Sequence, residues 1–97
     1  MARAIVWSLD ALDDLEAIAE YIARDSRASA SKMISKILAA AQVLDMFPNL
    51  GLVVPEYSDP ALRQCIVLRY RLIYRIEADQ ITVLNIIHTK RRSKNRL

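Results

Sequence analysis

One cysteine, one glycine, one histidine, one tryptophan and three prolines are all that this 97-residue chain contains of those types. Each scarcity removes a class of protein. A single cysteine closes no internal disulfide, so Cys65, set among apolar neighbours, reads as a thiol of a reducing cytoplasm. One cysteine with one histidine leaves too few soft ligands for a zinc site, and no metal or other cofactor is expected. So little glycine and proline argues against a disordered or low-complexity chain. No apolar run approaches the roughly 20 residues that cross a bilayer. The stretch at residues 4–7 is too short for the core of a signal peptide. A cytoplasmic protein with no membrane contact is the expectation.

Apolar residues are plentiful, at 54% of the chain with a mean hydropathy of +0.14. The length predicts a single domain over 1–97, ending in a basic tail from about residue 89. A domain this small cannot hide so much apolar surface, so an exposed patch that a partner covers is expected. Charge is divided unevenly along the chain. Residues 1–59 carry nine acidic groups and five basic ones, whereas residues 60–97 carry nine basic and two acidic. The second part therefore invites an anionic partner.

Periodicity supplies the elements. Residues 3–7 are β-branched and aromatic, which predicts a strand that Trp7 staples against the helices. Ser8 then caps a helix over about 9–24, with Asp10, Asp13 and Asp14 near its positive end and Ala11, Leu15, Ile18 and Ile22 along one side. Ser26 or Ser29 caps a second helix, whose inner stripe is Ala30, Met33, Ile34, Ile37, Ala41 and Leu44. Pro48 and Gly51 end that pattern, and 49–61 reads as a loop with a short extended piece near Leu52–Val54. From residue 62 the period becomes two. In one extended run, Ile66, Leu68, Tyr70, Leu72, Tyr74 and Ile76 share one side, and Val67, Arg69, Arg71, Ile73 and Arg75 the other. A reversal near Leu68–Tyr70 divides the run in two. Residues 81–87 are apolar on both faces apart from Thr82 and Asn85, which suits a central strand. The prediction is an α+β fold, β-α-α-β-β-β, with a helical hairpin on one face of a small, mostly antiparallel sheet.

Several residues could carry chemistry. The acidic run on the first helix lies mostly opposite the core stripe and reads as a solvated face. Arg71 and Arg75 share a sheet face, with Arg63 expected to join them, and guanidinium groups on a firm platform suit phosphate. The competing structural reading pairs them with Glu56 and Glu77. His88, at the end of the last strand, has the chemistry of a general acid or base. Lys90, Arg91 and Arg92 open a basic tail able to hold an anionic partner. Tyr70 and Tyr74 read as core.

With these pieces placed, the chain resembles the RelE/ParE superfamily of type II toxins, on the ParE side. The resemblance lies in Trp7 closing the first strand, then Ala11, Asp14, Leu15, Ile18, Tyr21 and Ile22 at helical spacing. It continues through Leu44, Phe47-Pro48 with Gly51, Pro55-Glu56, Arg63, the run from Tyr70 to Ile76, and Ile81, Val83, Leu84, Ile86, Ile87, His88 and Arg91. It covers residues 5 to about 92. It implies a plasmid-stabilisation type toxin, silenced by an antitoxin whose C-terminal segment wraps it. ParE-like relatives inhibit DNA gyrase, whereas RelE- and YoeB-like relatives cut mRNA on the ribosome. For the second activity the resemblance implies Arg71, His88 and Glu56 as the catalytic set. The loop 49–61 lacks the lysines of RelE, and the chain end lacks the tyrosine of RelE and YoeB. The resemblance therefore implies a gyrase inhibitor rather than an enzyme. An mRNA endonuclease is the alternative, and a non-toxic module that only binds its antitoxin is a second.

Overall fold

A computed structural model describes residues 3–90. The chain runs through β1 (Ala4–Trp7), α1 (Leu9–Ala23), α2 (Arg27–Val43), a 3-10 turn (Pro48–Leu50), β2 (Leu52–Val53), β3 (Leu62–Val67), β4 (Tyr70–Ile76) and β5 (Gln80–His88). The five strands form one sheet in the order β1-β5-β4-β3-β2, parallel only between β1 and β5. The expected order therefore holds, with the extended piece of the loop realised as the two-residue β2.

Both helices begin where a serine takes up free amides. The Ser8 hydroxyl accepts from Ala11 N–H at 3.0 Å, and the Ser26 hydroxyl accepts from Ser29 N–H at 3.1 Å. Their apolar stripes, Ala11, Ile18, Ile37, Ala41 and Leu44, meet Leu72, Tyr74, Ile81, Val83 and Ile86 from the sheet. Trp7 packs against this core as its strand position predicts. On the opposite face of the sheet, residues 54–61 fold back as a strap. Beneath it lies a second, smaller core of Val54, Leu62, Ile73 and Ile87. The sheet face expected to display its arginines to solvent is thus covered over β3 and β4.

The reversal between β3 and β4 occupies only Leu68 and Arg69, and Val67 faces Tyr70 across it. A two-residue turn places odd-numbered residues of one strand opposite even-numbered residues of the next. The face assignments on the first strand of the hairpin therefore invert. Val67 lies buried on the helix side with Tyr70, while Ile66 sits opposite Arg71. For the same reason Arg63 lies opposite Tyr74 and does not share a face with Arg71 and Arg75.

Strand β1 stops at Trp7, halfway along β5, and α1 supplies the missing edge. Ser8 N–H donates to Val83 O at 3.0 Å, and the Ser8 hydroxyl donates to Leu84 O at 2.9 Å. One turn later, the Asp14 carboxylate accepts from Ile86 N–H at 2.8 Å. Asp10, Asp13, Glu16 and Glu20 are exposed as expected, but Asp14 does the work of a strand backbone. Asp14→Ala should lower stability by about 1–3 kcal/mol, the cost of leaving a buried amide without a partner. Asp14→Asn, which keeps an acceptor, should lose less; denaturant midpoints of the two variants provide the comparison.

Candidate functional site

Three clusters hold the residues of interest, one under the strap and two on the helix side of the sheet. The first lies under the strap. Arg71 on β4 meets Glu56 in a fork, Nη1 to Oε2 at 2.9 Å and Nη2 to Oε1 at 2.7 Å. Its Nε donates to the Gln64 side chain at 2.7 Å from the neighbouring strand. The two ionised side chains are only 9% and 12% exposed. Farther along β4, Arg75 pairs with Asp59 at 3.1 Å in an open setting. The Ala61 N–H first, and Arg75 after it, hold the Asp59 carboxyl below its ordinary range. Both arginines thus take strap carboxylates: Glu56 as one of the two expected partners, and Asp59 in place of Glu77. Glu77 instead accepts from the Thr82 hydroxyl at 2.7 Å.

The second cluster lies around Pro48 and Gly51, two residues of the resemblance. Tyr74, fully buried, donates its hydroxyl to Pro48 O at 2.7 Å and accepts from Gly51 N–H at 3.0 Å. Arg63 closes the same corner, its Nη1 donating to Gly51 O at 3.1 Å and its Nε to Pro60 O at 2.8 Å. Burial pushes the Tyr74 phenol up to about 12 from 10.0. The neutral phenol is thus the form the fold favours. This contribution to stability is complete below about pH 10 and drains away as pH rises toward about 12. Tyr74→Phe should lose that alkaline slope, and near pH 7 it should be weaker by about 1–3 kcal/mol, because Gly51 N–H loses its partner. Denaturant midpoints measured from pH 8 to 12 in both proteins would show the crossing. Burial also raises the Cys65 thiol, which disfavours the thiolate a nucleophile needs.

The third cluster is the far end of the sheet. His88 is half-buried opposite Tyr70, with ring centroids 5.8 Å apart, and its Nδ1 accepts from Lys90 N–H at 3.2 Å. Register places Arg71 opposite Ile87, so His88 and Arg71 belong to opposite faces. The structure brings together Arg71 and Glu56 and leaves His88 apart from them. Lys90 is exposed. Arg91 and Arg92 lie outside the described residues.

Apolar surface is exposed along one edge. A shallow groove of about 340 Å³ runs between α2 and the β2–β3 edge, lined by Ala40, Val43, Leu50, Leu52, Cys65 and Ile66. Leu52 is 73% exposed and Ile66 57%. Gln64 carries no sequence signal beyond its polarity, and Asp14, though part of the resemblance, reads from sequence only as an acid in the first helix; only their partners, brought close by the sheet, reveal their roles.

A helical hairpin on a sheet with one parallel edge, and a strap carrying acids onto two strand arginines, make this an α+β domain. Sequence comparison makes the assignment specific. Residues 5–93 match the profile of the ParE toxin of type II toxin–antitoxin systems, parDE, and the chain belongs to that family. It is 30% identical over 88 residues to Toxin RelE2 of Caulobacter vibrioides, covering 90% of this chain and 96% of that protein. The same fold occurs in the chromosomal ParDE TA system from P. aeruginosa, with a TM-score of 0.74 at 22% identity, over 90% of this chain and 96% of that one. The YoeB dimer from Staphylococcus aureus has a TM-score of 0.63 at 16% identity, over 91% and 98%. The protein is a toxin of a type II toxin–antitoxin system. No helix among the described residues is long and apolar enough to cross a membrane.

Proposed function

We propose that this toxin acts in the cytoplasm by inhibiting DNA gyrase, and that a cognate antitoxin silences it with a C-terminal segment. The observation that carries the reading is the state of Arg71. A ribonuclease acting by attack of a 2′-hydroxyl needs a base, an acid and a cation open to the phosphate. Here the guanidinium is forked onto Glu56, held by Gln64 and roofed by the strap, with the only histidine on the other face. Family membership on the ParE side points the same way. The groove beside β2 and β3 supports the antitoxin, since a folding segment would cover apolar surface there.

One observation favours a second reading. Arg71 and Glu56, two of the three residues that mRNA cleavage would call on, are in contact, and Toxin RelE2 is a relative. The purified toxin, added to a gyrase supercoiling assay and to a translating ribosome extract, separates the two. Loss of supercoiling with intact mRNA is expected; cuts in ribosome-bound mRNA with normal supercoiling would overturn the proposal.

A further inference from the structure

The β3–β4 turn contains the single non-glycine residue with positive φ among those described, Leu68 at 56°. Two-residue hairpin turns call for that region, and glycine or asparagine enters it without strain. A leucine does not. Nothing in the fold compensates, because Leu68 is 61% exposed and belongs to neither core. A large apolar side chain is therefore held out into water on a strained backbone. Such positions are where proteins place contacts for other molecules.

Its surroundings state what kind of molecule. Arg69 is the second residue of the same turn, and its carbonyl accepts from Thr89 N–H at 2.8 Å, which brings the exit of β5 alongside. Lys90 stands next, its backbone fixed on His88. Arg69 and Lys90 are exposed and make no ion pair with any described residue. The tip is thus one projecting leucine beside two cations that no described carboxylate pairs, since Glu56, the strap acid at this end of the sheet, is already forked onto Arg71 and Asp59 lies farther along on Arg75.

We infer that this tip is the surface by which the toxin holds its target, and that it fits an acidic protein surface with an apolar socket for Leu68. A phosphate backbone would satisfy Arg69 and Lys90 but offers a leucine nothing to bury against, which favours protein over nucleic acid. The inference rests on the gyrase reading for the identity of the target, but not for the existence of the surface.

The experiment uses the full chain as parent, Leu68→Asn, and the charge reversal Arg69→Glu with Lys90→Glu. Melting temperature, half-inhibiting concentration in gyrase supercoiling, growth arrest on induction in a bacterial host, and binding to duplex DNA are each measured. Leu68→Asn is expected to melt no lower than the parent, yet to need at least about ten-fold more protein to inhibit gyrase, as the loss of a buried interface anchor gives. The charge reversal should lose as much, and the parent's inhibition should weaken with added salt. If the parent arrests growth without inhibiting gyrase, the gyrase reading falls, and relief of growth arrest by both variants still supports the tip. Variants as potent as the parent in whichever activity it shows would overturn the inference. So would Leu68→Asn melting well below the parent, or parent binding to DNA that both variants lose. A parent that neither arrests growth nor inhibits gyrase overturns the tip and the gyrase reading together.

Discussion

Arg71→Ala should cost about 3 kcal/mol or more, which for a domain of this size lowers the melting temperature by more than about 10 °C. The reason is what stays behind. Glu56 is 12% exposed, and without the fork its charge loses the guanidinium and both of its hydrogen bonds. Gln64 loses its donor at the same stroke. Arg71→Lys keeps a charge but not the fork, and should fall between the two. Replacing both partners, Arg71→Met with Glu56→Leu, should recover most of the loss, since a buried pair is worth little against well-packed apolar groups although half a pair is costly. Thermal melts of the four proteins test the series, and a single-alanine loss below about 1 kcal/mol would sink it. Loss of toxicity in Arg71→Ala alone would consequently say nothing about catalysis. The double replacement is the variant that asks that question, because it removes the guanidinium and keeps the fold.

Gly51→Ala should be of similar size and has a different cause. The φ at this position is −76°, so the backbone is open to any residue. What forbids a side chain is space. An added Cβ would lie 2.6 Å from Gln64 O and 2.7 Å from the Tyr74 hydroxyl. The clash cannot be relieved by turning a side chain, because Gln64 O belongs to the ladder that holds β2. Overpacking together with loss of the Tyr74 clip should cost about 3 kcal/mol or more. Adding Tyr74→Phe should not rescue the variant, since the carbonyl of Gln64 still blocks it. Denaturant midpoints for the single and double variants decide the matter, and full rescue by phenylalanine would show the hydroxyl to be the sole obstacle.

Much of this fold is legible in the sequence because its helices are strongly patterned. Ser8 and Ser26 announce the two starts, and the stripes Ala11–Ile18 and Ala30–Leu44 meet the sheet as their spacing predicts. The apolar run from Ile81 to Ile87 predicts the central strand, and β5 occupies that place. The site is less legible. Alternation identifies which residues of one strand share a face, but a turn of two residues or a bulge resets the count. Leu68-Arg69 reset it for Arg63 and Ile66, and the irregularity beside Ile73 and Tyr74 reset it between β4 and β5. Composition likewise shows acids in the loop 49–61 without revealing that the loop folds back over the arginines. Only the strap's own small core, Val54 against Ile73 and Ile87, brings Glu56 to Arg71.

The strand order carries a consequence for how the toxin is born. β5, the last of the described strands to leave the ribosome, lies between β1 and β4. Residues 4 and 80 pair directly, and Asp14 waits for the amide of Ile86. Contacts so distant along the chain form late and slowly. A nascent chain halted anywhere before that strand has an unpaired β1, an uncovered helical hairpin and a β4 without its neighbour. The sheet described here can therefore close only after β5 has been made, whatever has folded before it.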